Sequence, residues 1–190
     1  MNEFLIKSGK HYPAGILQRI NPNRLIVNPT SIKFDFRFTH STQYAPMGLW
    51  WERRKENYYY PLLEQINKIA GISFDLQNKN SARIGFRFDW EVNRFFIYAY
   101  FHIDGEIHYS EDSKFIVSMN DIITGEIVKN NQNIIVQVHN KKGETKVLDI
   151  IENTFDKSLF GYVQHPYFGG KIPAPHGLRI NVDNIIVNGR

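Results

Sequence analysis

Arg83, Arg87 and Asp89 alternate along one stretch of the chain, and Tyr98, Tyr100 and His102 alternate along the next. Gln137 and His139 repeat the same spacing further on. Side chains two residues apart share one face of an extended strand, so each set can form a polar surface. Two chemistries fit these residue types. Tyrosine rings pack on the apolar faces of sugars, while Arg, Gln and Asp make planar hydrogen bonds to hydroxyls. Alternatively, an Arg or Gln neutralises a substrate carboxylate while a Tyr or His takes the adjacent proton. A solvated sheet face would use the same residues as cross-strand pairs worth about 0.2–1 kcal/mol each. The glycan-binding candidates are Arg83, Arg87, Tyr98, Tyr100, His102, Gln137 and His139, with Tyr167 added from the stretch His165–Gly177.

Other chemistries find little support. The 190 residues include no Cys, which excludes disulfides, thiolate metal sites and a Cys nucleophile. Seven His are spread without a metal-ligand spacing, so no metal or other cofactor is expected. Glu106, Glu111 and Asp112 lie near a hairpin and read as solvated turn residues rather than a glycosidase pair. A net charge of +4 comes from scattered Lys and Arg, which argues against a nucleic-acid partner. No apolar run approaches the ~18 residues of a membrane span, so no membrane insertion is expected. The N-terminus has no basic segment followed by an apolar one, and the expectation is a soluble chain without Sec export.

The elements that must position these residues are strands. Residues 32–39 place Ile32, Phe34, Phe36 and Phe38 on one face. Residues 82–90 repeat the pattern with Ala82, Ile84, Phe86, Phe88 and Trp90. Residues 95–103 follow, and Asp104-Gly105 marks a hairpin into 106–109. Further strands are predicted at 114–119, 123–129, 133–139, 144–151, 159–168 and 177–187. Short strands at this spacing indicate an all-β sandwich or barrel in a single domain, 1–190. Residues 44–66 break the rhythm with Trp50, Trp51, Tyr58, Tyr59 and Tyr60 around a charged middle, and a short helix is predicted from Gly48 to Tyr59. Trp and Tyr are enriched at interface hot spots, so these five are interface candidates.

Several motifs occur in order: Gly9-Lys10-His11-Tyr12, Gln65-Ile66-Asn67-Lys68-Ile69-Ala70-Gly71-Ile72-Ser73, Asn80 to Phe88, Ile97-Tyr98-Ala99-Tyr100, and Gly161-Tyr162 running into Pro166-Tyr167-Phe168-Gly169-Gly170 and Ala174-Pro175-His176. Together they resemble a group of small concanavalin A-like jelly-roll proteins of gut-type anaerobic bacteria and their phages, over about residues 5–182. The resemblance implies a jelly-roll β-sandwich of two antiparallel sheets, carrying residues 44–66 as an insertion. It implies no reaction. Gln137-Val138-His139 also looks like the Q-x-H signature of alginate-lyase type jelly rolls. That resemblance implies Arg87, Gln137, His139 and Tyr98 as a lyase set, but the family's first motif has no match here and its third only a loose one at Phe168-Gly169-Gly170-Lys171.

Three functional classes follow. The expected one is a non-catalytic structural or interaction protein, a phage virion component of tail or capsid with glycan recognition. It would assemble in the host cytoplasm with other structural proteins or itself, and a surface polysaccharide is its other partner. The alternatives are a bacterial carbohydrate-binding module and an alginate-lyase-like polysaccharide lyase.

Overall fold

The computed structural model describes residues 2–12, 24–43, 66–89, 92–110, 115–155, 159–168, 174 and 176–189. The described residues form thirteen strands: β1 (Asn2–Ile6), β2 (Leu25–Val27), β3 (Ser31–Phe38), β4 (Asn67–Ser73), β5 (Ser81–Asp89), β6 (Arg94–Ile103), β7 (Glu106–Tyr109), β8 (Phe115–Val117), β9 (Ile123–Lys129), β10 (Asn133–Asn140), β11 (Thr145–Glu152), β12 (Phe160–Gln164) and β13 (Leu178–Val187). A 3-10 turn, His40–Thr42, follows β3.

The strands form two antiparallel sheets. One has six strands in the order β1-β13-β3-β9-β10-β11. The other has seven, in the order β2-β12-β4-β5-β6-β7, with β8 also paired to β6. The chain passes repeatedly from one sheet to the other, as in a concanavalin A-like jelly roll. The insertion 44–66, its predicted helix and its five interface candidates (Trp50, Trp51, Tyr58, Tyr59 and Tyr60) lie outside the described residues, apart from Ile66.

Alternation builds the core. Ile32, Phe34, Phe36 and Phe38 of β3 are all fully buried and face Ile84, Phe86 and Phe95 of the other sheet. Phe38 stacks on Phe95 at 4.1 Å between ring centroids and tilts against Phe86 at 4.8 Å. The sheets approach closely at Gly125 of β9, where an added Cβ would lie 2.3 Å from Cδ1 of Ile84.

The expected strands appear with small shifts, except that one is cut short. Strand 159–168 stops at Gln164, because Pro166 cannot donate to a ladder. Strands β2 and β4 were not among the expected strands, and for β4 there is a physical reason. Every one of its seven residues is buried, so it lacks the half-polar alternation that marks a one-sided strand. The Asp104-Gly105 hairpin forms as expected, with both residues at positive φ (53° and 90°).

Phe38 lies at the centre of this inter-sheet aromatic contact. Phe38→Ala should lower unfolding free energy by about 3–5 kcal/mol, read by urea denaturation at constant m-value. A loss under 1 kcal/mol would show that the two sheets do not pack through this ring.

Candidate functional site

The outer face of the seven-stranded sheet is built by register. Ser81 pairs with His102, Arg83 with Tyr100, Gly85 with Tyr98 and Arg87 with Phe96 across β5 and β6. On the other side of β5, Gly71 of β4 pairs with Arg83 and Lys68 with Gly85. Gln164 and Tyr162 of β12 pair with Gly71 and Ser73. Arg83, Arg87, Tyr98, Tyr100 and His102 therefore share one sheet face, as their spacing predicts. Tyr98, Tyr100, Phe96 and Ile66 form a second buried apolar cluster on it, with Tyr109 packed alongside.

One end of this face is a cleft of about 380 Å³, whose lining includes Tyr12, Arg24, Lys68, Arg83, Tyr100, His102, Tyr162, Gln164 and Tyr167. Two buried cations line it, and the one on β5 is Arg83, 9% exposed. Two sequence features make room for it. Gly71 has no side chain, and an added Cβ there would sit 2.7 Å from Cγ of Arg83 and 2.3 Å from the Ala82 carbonyl oxygen. Pro166 interrupts the β12–β4 ladder, which resumes at the single bridge between Lys68 and Tyr167. Within that gap the His165 carbonyl accepts a hydrogen bond from Nη2 of Arg83 at 2.8 Å. The Nε of Arg83 has no partner among the described residues, and neither has Oε1 of Gln164.

Lys68 lies beside Arg83 and is only 4% exposed. Its Nζ sits 4.2 Å from the Tyr100 ring centroid and 5.5 Å from that of Tyr167. Burial, with a smaller push from the Arg83 charge, lowers its ammonium pKa to about 7. Burial also lowers Arg83 to about 10 and raises the Tyr100 hydroxyl to about 12. Arg24 donates from Nε to the Val163 carbonyl at 2.8 Å and lies over Tyr162. A side-chain chain runs from Gln164 Nε2 to Asn78 Oδ1, and from Asn78 to Nδ1 of His102 at 3.2 Å. Burial lowers His102, and lowers His165 to about 4. Tyr167 stacks on His11 at 5.4 Å and meets Tyr12 edge-on at 4.8 Å, forming the rim.

Two predicted site residues lie elsewhere. Gln137 and His139 are on β10, in the six-stranded sheet, and point outward from its alternately buried pattern. Alternation set their facing correctly, but it carries no information on which sheet a strand joins. Both hydrogen-bond Oε2 of Glu126, at 2.7 and 3.2 Å. Partial burial pushes Glu126 up, but these hydrogen bonds and the Lys33 charge outweigh it and hold its carboxyl below the usual range. Arg87 and Tyr98 lie on the outer face of the opposite sheet, so the lyase-type set Arg87, Gln137, His139 and Tyr98 is not assembled. Arg87 sits near Asp89 at 3.8 Å and 5.7 Å from the Phe96 ring, away from the cleft lining. Tyr98 is 2% exposed and belongs to the apolar cluster. Of the eight candidates, Arg83, Tyr100, His102 and Tyr167 line the cleft.

Lys68, Arg24, Tyr12, Asn78, Tyr162 and Gln164 were not among the candidates. Lys68 had a readable signal: it interrupts the apolar run Ile66 to Ile72, where a cation must be buried. Among the described residues, no three His, Asp or Glu side chains converge as a metal site.

No protein-family model matches the chain. No curated protein matches it in sequence. Among solved structures, a functionally unknown protein from Saccharomyces cerevisiae is similar with a TM-score of 0.51 and 10% identity, over 86% of this chain and 71% of that one. A xylan beta-1,4-xylosidase from Bacillus halodurans gives 0.46 and 7%, over 83% of this chain and 28% of that one. A double mutant of Congerin II gives 0.44 and 8%, over 98% of this chain and all (100%) of that one. The yeast protein supports the fold and nothing beyond it.

The buried lysine has a consequence for stability. A lysine titrating near 7 when folded and near 10.5 when unfolded leaves the unfolded chain with more bound protons between those values. Stability contributed at this position therefore rises with pH across that window and is lowest below about 7. Lys68→Met should raise the Tm of the unliganded protein at pH 6–7 and flatten its rise towards pH 10, in melts followed by circular dichroism. An unchanged pH slope would place the lysine in solvent.

Proposed function

We propose that the protein is a non-catalytic glycan-recognition sandwich that binds a saccharide in the cleft on the outer face of its seven-stranded sheet. The observation that carries this reading is the joining of aromatic rings with buried polar groups in one concave site. A volume of about 380 Å³ lies in the roughly 300–1,000 Å³ range of small-ligand sites. Tyr12, Tyr162 and Tyr167 offer ring faces and edges at the mouth, suited to the apolar side of a pyranose. Arg83, Gln164 and Asn78 provide donors and acceptors for hydroxyls. A sheet face that served only as a solvated surface has no need to bury an arginine and a lysine.

Two features of the cleft support the non-catalytic part of the reading. His102 accepts hydrogen bonds at Nδ1 from within the site, and Tyr100 is pushed to about 12, far from a base working at neutral pH. The cleft is lined by neither Asp nor Glu among the described residues, so the two-carboxylate hydrolysis of glycosides has no acid–base pair there. Assembly into a virion would add a second, protein-binding surface at residues 44–66, whereas saccharide recognition rests on the described cleft alone.

A glycan array followed by calorimetry on the best binder tests this reading. Tyr12 is 48% exposed, so its truncation leaves the core intact. Tyr12→Ala and Tyr167→Ala should each weaken binding by roughly 5–10-fold, about 1–1.4 kcal/mol, with Tm unchanged within a degree or two. An array on which the wild-type protein binds nothing contradicts the reading.

A further inference from the structure

We propose that the cleft selects an acidic saccharide, whose ring packs against the tyrosines at the mouth while its carboxylate or sulfate meets Lys68 and Arg83. This inference rests on the glycan reading of the same cleft and specifies its ligand.

The charge pattern of the cleft carries it. Three cations, Arg24, Lys68 and Arg83, line a site to which no Asp or Glu contributes among the described residues. Asp75 is the acidic group felt by His102, and its oxygens already accept from the backbone N–H groups of Gln77, Lys79 and Asn80 at 2.7, 3.1 and 2.6 Å. Burying two adjacent cations without an anion is costly, because each loses its hydration and they repel. Lys68 is held instead by the Tyr100 and Tyr167 rings, which return only part of what water gives an ammonium. A neutral sugar would leave that imbalance in place. An anionic substituent would relieve it, and Arg83 has a donor, Nε, still without a partner. Gln164 Oε1, likewise buried and unpartnered, suits a ring hydroxyl beside the acid group.

Binding should then be linked to protons. Lys68 is faced by Arg83 from β5, by Tyr100 and His102 from β6, and by Tyr167 beyond β12, with Arg24, Tyr12, Tyr162 and His165 further along the cleft. Of those with shifted values, Arg83 lies near 10, Tyr100 near 12 and His165 near 4, with Arg24 and His102 moved down and Tyr167 up. Lys68, near 7, is thus a group whose charge changes between pH 6 and 8. An anion favours its protonated form, so affinity should fall across that interval and binding at pH 8 should take up a proton.

The test is calorimetric titration at low ionic strength with matched pairs: hexuronate oligomers and their carboxyl-reduced counterparts, and sulfated galactan oligomers and their desulfated counterparts. Sodium acetate and sodium sulfate alone are the controls. The expected result is that an acidic member binds about tenfold or more tighter than its neutral counterpart, and more weakly as salt is added. Which pair shows the preference distinguishes carboxylate from sulfate. Lys68→Met should abolish the preference, and Lys68→Arg should keep it while removing the pH dependence between 6 and 8. Titration in two buffers of different ionisation enthalpy reads proton uptake at pH 8 without any variant. Neutral counterparts binding as tightly as the acidic ones would overturn acid selection and leave glycan recognition standing. Acetate or sulfate binding as tightly as the saccharides would reduce the cleft to a simple anion site and overturn the saccharide. No binding by either member of any pair would overturn both readings together.

Discussion

The burial of Arg83 against β4 governs the outer face of the seven-stranded sheet. A guanidinium removed from water needs space, a carbonyl and a reason to stay charged. Gly71 provides the space and the gap at Pro166 provides the His165 carbonyl. Once that cation is in place, its field falls on Lys68, His102, His165 and the surrounding tyrosine hydroxyls. The cleft is thereby a site with a sign, positive and partly dehydrated, rather than an incidental fold in the surface. Electrostatic interactions strengthen in such surroundings, so an incoming anion gains more there than on the open sheet.

The core makes this arrangement affordable. The inward faces of β5 and β6 carry Ile84, Phe86, Phe95, Ile97, Ala99 and Phe101, all packed against the opposing sheet. Their outward faces are consequently fixed in register, with Arg83 opposite Tyr100 and Ser81 opposite His102. A one-residue slip would move every phenylalanine into solvent. Hydrophobic register therefore places the polar groups of β5 and β6, and the segment after β12 adds the carbonyl that holds Arg83.

How much of this was legible in the sequence depended on one-sided burial. Where a strand buries one face, alternation reveals it, as in β3, β9 and β10; β5 is buried on both faces over Ser81–Phe86, and only the alternation of its residue types made it readable. Strand β4 is buried on both faces, so period two vanished and Lys68 went with it. The gathering of Arg83, Tyr100 and His102 on one sheet face could be foreseen because β5 and β6 are neighbours in sequence. The placement of Gln137 and His139 could not, since both outward faces of a sandwich read alike along the chain. The stretch His165-Pro166-Tyr167 falls inside the expected strand 159–168, whereas the strand stops before it at Gln164. Its part in the site became visible only when its freed carbonyl was seen to receive Arg83.

The central claim is that ligand meets the outer face of the seven-stranded sheet at Arg83 and Lys68. Amide chemical-shift mapping of isotope-labelled protein during saccharide titration tests it most directly. The account predicts saturable shifts at Lys68, Gly71, Arg83, Tyr100, Gln164 and Tyr167, with Glu126, Gln137 and His139 unmoved. Shifts centred on Glu126, Gln137 and His139, with the cleft silent, would contradict it.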